Sequence, residues 1–330
     1  VEHEKSEPCW TTTVLWHCKG HYYETTMMDP WGSQLDGRIS GDAGSMEFKK
    51  SLRNIRDDPS MVELTIDPMA VDESTVTALR KLLLSRKWKS VTLHDSEFTT
   101  DQGLWDDVIV SAMSQTVRLE VRAGIQQRLV QSFSRGLSSG GCHLKKFSLT
   151  RAKLSLDVAT AIGAAVSSSP ALEEFALTDC NVNCEVLTAL LGVNDSRLRA
   201  LYLCDCRLVD AHVAQVAASL VHHPFLKQLW LNGKQSFGSC SSQFLLEALR
   251  SHTELEHIQL PNAQSCCPRM LGYMELNRAG RRLLGSQSAS LALWPLVLER
   301  VGRIPGLSGN SRANILYFYI HQLHGREHIR

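Results

Sequence analysis

The amino-acid sequence predicts an α/β fold: a right-handed solenoid with a parallel, concave sheet inside, helices outside and a cap at each end. Three observations predict it. A hexad of apolar residues recurs eight times, the intervals between hexads are nearly constant, and an amphipathic stretch with helical spacing follows seven of the hexads. A single strand–helix unit cannot bury its apolar face alone, so the units are expected to stack on one another.

The hexad is clearest in residues 198–208, which read L-R-A-L-Y-L-C-D-C-R-L. Leu201 and Leu203 are two residues apart, so in an extended chain their side chains point to one face and Tyr202 points to the other. The first and last leucines of the stretch enter the same core from the flanking turns, and the small Cys206 fits the bend. The pattern therefore predicts a short strand with one buried face.

The same hexad recurs along about two thirds of the chain. Its first position is Met61, Trp88, Thr116, Leu144, Leu172, Leu198, Leu226 and Leu255, at intervals of 27, 28, 28, 28, 26, 28 and 29 residues. Thr116 is the poorest match. The two later apolar positions are Leu64/Ile66, Val91/Leu93, Leu119/Val121, Phe147/Leu149, Phe175/Leu177, Leu201/Leu203, Leu229/Leu231 and Ile258/Leu260. Chance gives one or two such hexads in a leucine-rich chain, so eight in register indicate a repeat.

An apolar stripe at helical spacing follows each of the first seven hexads. Its members are Val76, Leu79 and Leu83; Val108, Ile109 and Met113; Leu129, Phe133 and Leu137; Val158, Ile162 and Val166; Leu187, Leu190 and Leu191; Val213, Val216 and Leu220; and Leu245 and Leu249. Pro170 and Pro224 stand just past two of these stripes, where proline ends a helix at little cost. The units therefore predict parallel strands joined by helices.

This spacing, L-x-x-L-x-L-x-x-[NC]-x-L, resembles the signature of leucine-rich repeats. The period resembles their long class, of about 28 residues, which includes ribonuclease inhibitor and the Ran GTPase-activating proteins. The resemblance covers residues 61–270 and implies a horseshoe of about eight units with the sheet on its concave side. It implies almost nothing specific about function.

Both ends of the chain fall outside the repeat. Residues 1–60 are expected to be largely irregular, with a short helix near residues 46–55 that caps the first unit. Residues 271–330 are expected to form a helical C-terminal cap and tail, with a last helix near residues 312–323. The phrases L-N-R-A-G-R and L-W-P in this tail resemble the C-terminal tail of leucine-rich-repeat proteins from diatoms and related algae.

The charge balance and the placement of the cysteines argue against several classes of protein and of partner. Lys and Arg number 35 against 34 Asp and Glu, so no nucleic-acid partner is expected. Nine arginines against only three glutamates make the part of the chain from residue 268 onward basic. These arginines either dock an acidic partner or cover apolar surface with the aliphatic stems of their side chains. The ten cysteines form no compact disulfide framework, which favours an intracellular, cytoplasmic or nuclear, setting. No signal peptide is visible, and no apolar run approaches the roughly 18 residues of a membrane span.

Partner binding is predicted on the concave side of the sheet, which such solenoids commonly use. Tyr202 and Trp230 occupy equivalent positions in adjacent units, so their rings should lie about 5 Å apart. Neighbouring exposed aromatics are typical of binding hot spots. The polar residues expected around them are Gln228, Asn232, His257 and Gln259. The alternative is that Trp230 only covers a weak region of the sheet.

A second candidate is a basic band on the same face, made of Arg118, Arg122 and Lys146 with Glu120 inside it. It is suited to an acidic loop, although alternating charges on a sheet often serve only to solvate it. The pair His222-His223 is expected to cap or to solvate a helix end. The group Cys9, His17, Cys18 and His21 matches no zinc spacing, so no metal and no cofactor is predicted.

Catalysis has little support in the sequence, because the motifs of phosphate-binding loops, nucleophile elbows and zinc proteases are all missing. The leading hypothesis is therefore a non-enzymatic, monomeric interaction module or scaffold that binds a protein partner. One alternative is a Ran-type GTPase activator, although the tail here is basic where those proteins often carry an acidic one. Another is a substrate receptor of a ubiquitin ligase. Residues 1–60 show no adaptor-binding box, but the chain begins with Val rather than Met, so a preceding segment could hold one.

Overall fold

The structure is a computed structural model. It describes residues 36–39, 46–66, 73–94, 102–122, 127–138, 142–193, 196–232, 237–261, 267–284, 295–296 and 299–300. All of these residues belong to one compact unit, Asp36–Arg330.

The described residues form an α/β fold in which strands and helices alternate around one sheet. The strands are β1 Asp36–Ile39, β2 Glu63–Ile66, β3 Trp88–His94, β4 Thr116–Arg122, β5 Lys146–Thr150, β6 Glu174–Thr178, β7 Ala200–Cys204, β8 Gln228–Trp230 and β9 His257–Gln259. The helices are α1 Met46–Asp57, α2 Glu73–Leu84, α3 Gln102–Gln115, α4 Gln127–Ser138, α5 Leu156–Ser168, α6 Cys184–Leu191, α7 Asp210–Ser219, α8 Ser239–Ser251 and α9 Pro268–Arg278. All nine strands are parallel and lie in chain order, which is compatible with a solenoid.

Equivalent apolar residues of successive strands stack on one another. Leu201 in β7 is paired with Phe175 in β6 and with Leu229 in β8, and all three side chains are buried. The two later hexad positions are buried in all eight units, as their spacing predicts. The rings of Phe147 and Phe175 lie 6.0 Å apart between centroids. A continuous core therefore runs along one face of the sheet.

The helices complete this core with the predicted apolar stripes, which are buried wherever their side chains are described. Two helices approach each other closely at Gly163 in α5. A Cβ atom there would lie 2.7 Å from the carbonyl oxygens of both Ala189 and Leu190 in the neighbouring α6. Only a residue without a side chain allows this contact.

The turns after the strands also repeat. Arg151, Asp179 and Asp205 follow β5, β6 and β7 and have left-handed φ angles of 58°, 53° and 54°. The N–H of each donates to a carbonyl of the next unit, at 2.8 to 2.9 Å. Cys180 and Cys206 come next, and both are buried, as predicted for small side chains at the bend. Their thiols lie 3.5 Å from carbonyl oxygens of the preceding unit.

The sheet extends one strand further toward the N-terminus than the hexads indicate. Strand β1 pairs in register with β2, but Gly37 stands where β2 has Leu64, so no apolar hexad marks this unit. The helix predicted near residues 46–55 is present as α1. The guanidinium of Arg86 ties the end of this helix to the next unit through bonds of 2.7 to 3.2 Å to the carbonyls of Ile55, Arg56, Asp58 and Met61.

At the other end of the sheet, α9 packs against β9. The sulfur of Met274 accepts a hydrogen bond of 3.1 Å from the N–H of Ile258. The amide of Asn277 donates to the carbonyls of His252 and Leu255. The helix predicted near residues 312–323 lies outside the described residues.

The burial of Leu203 gives a direct test of the register. Leu203→Ala should lower the free energy of unfolding by about 2–5 kcal/mol, because it leaves a cavity in the stacked core. Tyr202→Ala, one residue away on the half-exposed face, should cost only about 0.5–1.5 kcal/mol, the value of an aromatic contact. Chemical denaturation measures both values, and a larger loss for Tyr202→Ala would show that the two faces of β7 are assigned in reverse.

The contact at Gly163 gives a second test. Gly163→Ala should destabilise the protein by about 1–3 kcal/mol, because the new methyl group collides with backbone atoms of α6 and overpacking outweighs the gain in helix propensity. Gly272→Ala in α9 is the matched control, since nothing lies within 4 Å of its Cβ position. Gly272→Ala should raise the melting temperature, because alanine favours the helical conformation more than glycine does. If both substitutions stabilise, α5 and α6 are not packed as closely as described.

Candidate functional site

The candidate site is the face of the sheet that points away from the helices, called the open face here. Its side chains form three columns across β2–β9. The first column is Glu63, Ser90, Arg118, Lys146, Glu174, Ala200, Gln228 and His257; the second is Thr65, Thr92, Glu120, Ser148, Ala176, Tyr202, Trp230 and Gln259. The third is His94, Arg122, Thr150, Thr178 and Cys204. Eight of the nine predicted binding residues lie in these columns, and Asn232 follows just beyond the end of β8.

Tyr202, Trp230 and His257 form a ring stack across three neighbouring strands. The centroids of Tyr202 and Trp230 lie 5.8 Å apart with an angle of 28° between the ring planes. The centroids of Trp230 and His257 lie 4.9 Å apart at 44°. The register brings the first two rings together as predicted, since Tyr202 and Trp230 are paired residues of β7 and β8.

A cation lies on the far side of this ring stack. The ammonium of Lys146, in β5, lies 4.9 Å from the centroid of the Tyr202 ring. It approaches from the side opposite Trp230, because β6 and β7 separate it from β8. The faces of the Tyr202 and Trp230 rings are therefore covered by their neighbours, and the ring edges are what the stack presents to a ligand.

Three small residues on this side of the sheet are more buried than the strand alternation predicts. Ala176, Ala200 and Pro261 were expected to face outward, yet all three are buried. Lys146 has to cross β6 to reach the Tyr202 ring, and the short side chain of Ala176 leaves room for it.

The ring stack keeps its polar groups neutral. Burial, reinforced by the carboxylate of Glu174, raises the pKa of Tyr202 to about 12, so its phenol stays protonated and able to donate. Burial lowers the pKa of His257, although a hydrogen bond with the side chain of Gln259 opposes this. The buried Nε1–H of Trp230 and the Nε2 of His257 have no hydrogen-bond partner among the described residues.

The predicted basic band consists mostly of ion pairs. Arg122 lies 2.8 Å from Glu120, and Lys146 lies 3.3 Å from Glu174. Arg118 is exposed and has no carboxylate partner among the described residues. The open face is thus charged along β2–β6, whereas β7–β9 present rings and amides there and no Asp, Glu, Lys or Arg.

A shallow depression adjoins the ring stack at the N-terminal ends of β6–β8. It has a volume of about 250 Å³ and is lined by Glu173, Glu174, Arg199, Ala200, Lys227 and Gln228. Three of its charged residues are engaged: Glu173 with Lys145 at 3.2 Å, Glu174 with Lys146, and Lys227 with Glu256 at 2.6 Å. Sequence reasoning missed this depression, because its residues come from three separate units.

Two histidines serve the interior rather than the surface. His223, expected to cap or solvate a helix end, is only 3% exposed, and its Nε2 lies 2.9 Å from the carbonyl oxygen of Leu191. His252, one unit later, places its Nε2 2.9 Å from the carbonyl oxygen of His223. Since a carbonyl can only accept, both imidazoles donate from Nε2. Arg281 then donates to the carbonyls of Leu249 and His252.

No group of three or more His, Cys, Asp or Glu side chains that could hold a metal ion occurs among the described residues. Cys9, His17, Cys18 and His21 lie outside them. The helices within the described ranges include none with the length and apolar character needed to cross a membrane.

The buried His223 makes stability depend on pH. Burial lowers its pKa to about 4, and its ordinary value in an unfolded chain is about 6.5. Between these values the unfolded chain binds a proton that the folded chain does not, so stability is lost as the pH falls from about 6.5 to about 4. The loss due to His223 should reach about 3 kcal/mol.

His223→Gln isolates this contribution, because glutamine keeps an N–H donor for Leu191 but does not titrate. The difference in unfolding free energy between wild type and His223→Gln should shrink by about 3 kcal/mol between neutral pH and about pH 4. Denaturant titrations across this range measure it, with His222→Gln at the neighbouring half-exposed residue as control. A difference that stays constant with pH would contradict a buried, neutral His223.

In comparisons with known proteins, no family model and no curated protein matches this chain. Its function is therefore inferred from the geometry of the open face.

Proposed function

We propose that this chain is a leucine-rich-repeat protein of the ribonuclease-inhibitor-like class, and that it acts as an interaction module whose concave face binds a partner protein. The repeat of 26–29 residues, the in-register stacking of the hexads and the left-handed turns after the strands support the repeat assignment. In this proposal the open face is the concave face of a horseshoe, and α1 and α9 belong to its caps.

The ring stack is the observation that carries the binding role. Tyr202 and Trp230 are half-exposed aromatic residues in a stretch of sheet with no carboxylate, lysine or arginine on its open face. Trp and Tyr are enriched among the residues that dominate binding energy.

Because neighbouring side chains cover the faces of the rings, a partner can contact only the ring edges. Trp230 lies between Tyr202 and His257, so a partner side chain cannot slide over its face. The edges of aromatic rings carry partial positive charge and attract acceptors such as carbonyl oxygens. Gln228, Asn232 and Gln259 supply further donors and acceptors around the stack. We infer a non-enzymatic, monomeric, intracellular binder; the GTPase-activating and ligase-receptor alternatives rest on the resemblance alone.

The test is affinity capture from the cells that express the chain. Tyr202→Ala/Trp230→Ala should reduce captured partner by about tenfold or more, since each ring at a hot spot is worth about 2 kcal/mol. Trp230→Phe is the milder variant, because it keeps an aromatic ring but removes the N–H. The amount of partner that it captures should fall between the amounts captured by wild type and by Tyr202→Ala/Trp230→Ala. Quantitative mass spectrometry of the eluates measures the loss.

Phe225→Ala/Phe244→Ala is the matched control, because it removes two exposed rings, 55% and 39% accessible, that lie off the open face. It should capture as much partner as wild type. Circular dichroism and thermal unfolding establish that each variant is folded. Equal capture by Tyr202→Ala/Trp230→Ala and wild type would overturn the proposed role of the open face.

A further inference from the structure

Two arginines, Arg118 and Arg199, have no acidic partner in the part of the chain that the structure describes. Arg118 stands in the first column of β4, and Arg199 directly precedes β7 and lines the depression. Both are exposed, and neither has a carboxylate within ion-pair distance among the described residues. The acidic residues around them, Glu173, Glu174 and Glu256, are instead paired with lysines. This part of the surface therefore carries uncompensated positive charge.

The spacing of the two arginines matches an extended peptide. Their backbones are three strands apart, which corresponds to about 14 Å at a strand spacing of about 4.8 Å. A polypeptide in the extended conformation covers this distance in about four residues, and side chains four residues apart point to the same side. A guanidinium also binds a carboxylate through two parallel hydrogen bonds, which favours arginine as the anchor for an acidic side chain.

The ring stack is suited to the backbone of the same peptide. It offers the phenol of Tyr202 and positively polarised ring edges, both of which attract acceptors. The two open-face carboxylates nearest to it in the charged half, Glu120 and Glu174, are each occupied by a cation of this chain. Negative charge that is not already paired is thus what this part of the described surface lacks.

We propose that the occupant of the open face is an extended acidic segment of a partner protein: two carboxylates about four residues apart pair with Arg118 and Arg199, and backbone carbonyls beyond the acid at Arg199 meet the edges of the ring stack. This inference rests on the proposed function and adds the chemistry of the partner. The segment runs across the strands, and the depression beside Arg199 receives one of its acidic side chains.

The test is selection of a displayed library of random peptides of about twelve residues, long enough when extended to cross the sheet, on the full chain. Enriched sequences should contain pairs of Asp or Glu about four residues apart. Synthetic versions with the acids replaced by Asn or Gln should bind about tenfold more weakly by fluorescence polarisation. Affinity of the acidic peptides should fall as salt rises.

Charge-reversal variants test whether Arg118 and Arg199 contact the acidic peptides. Arg118→Glu and Arg199→Glu should each weaken the acidic peptides by about tenfold or more. Arg250→Glu, which makes the same charge change on α8, should leave their affinity unchanged. A labelled oligothymidine is the competing probe, because cations beside aromatic rings also suit single-stranded nucleic acid. Oligothymidine binding that depends on Arg118 and Arg199, with no acidic peptide enriched, would overturn the inference.

Different results would contradict the acidic segment and the proposed function. If no peptide is enriched, or if the selected peptides bind Arg118→Glu and Arg199→Glu as well as wild type, the acidic segment is wrong. The proposed function still stands in that case, provided that Tyr202→Ala/Trp230→Ala loses the captured partner. If capture does not depend on Tyr202 and Trp230, the open face is not the binding surface and both fail.

Discussion

The in-register stacking of apolar side chains is the constraint on which the rest of the structure depends. Leu201 packs between Phe175 and Leu229 because the three strands are parallel and exchange backbone hydrogen bonds at equivalent residues. The same register brings Tyr202 opposite Trp230 on the other face. A slip of one residue would bury the rings and expose the leucines. The burial of one face therefore fixes the arrangement of the face that is available for binding.

Polar groups at both ends of the sheet are held by arginines that reach across units. Arg86 donates to four carbonyls where α1 meets the following strands, and Arg281 donates to carbonyls at the end of α8. Each guanidinium satisfies oxygens that would otherwise be buried without donors. His223 and His252 add to the contacts made by Arg281, because their hydrogen bonds to backbone carbonyls link three successive units. The Nδ1 of His252 accepts from the N–H of Leu255, so burial favours the neutral imidazole that this contact uses.

The open face divides into two chemical halves because its charged residues are already paired. Glu120 and Glu174 neutralise Arg122 and Lys146, and such exposed pairs contribute little to stability. Lys146 has a second role, since its ammonium lies over the Tyr202 ring and connects the charged half to the ring stack. What remains for a partner is the row of ring edges on β7–β9, and the exposed Arg118 on β4.

The amino-acid sequence alone predicts the repeat, its period, the buried hexads and the neighbouring positions of Tyr202 and Trp230, because strand alternation and a fixed interval place side chains without knowledge of the fold. It did not reveal β1, where Gly37 replaces the expected leucine, or the burial of His223. The pairing of the charges, which leaves Arg118 without a carboxylate partner among the described residues, follows only from the folded structure. Those contacts join side chains of different units, and their geometry depends on rotamers and burial that no local pattern records.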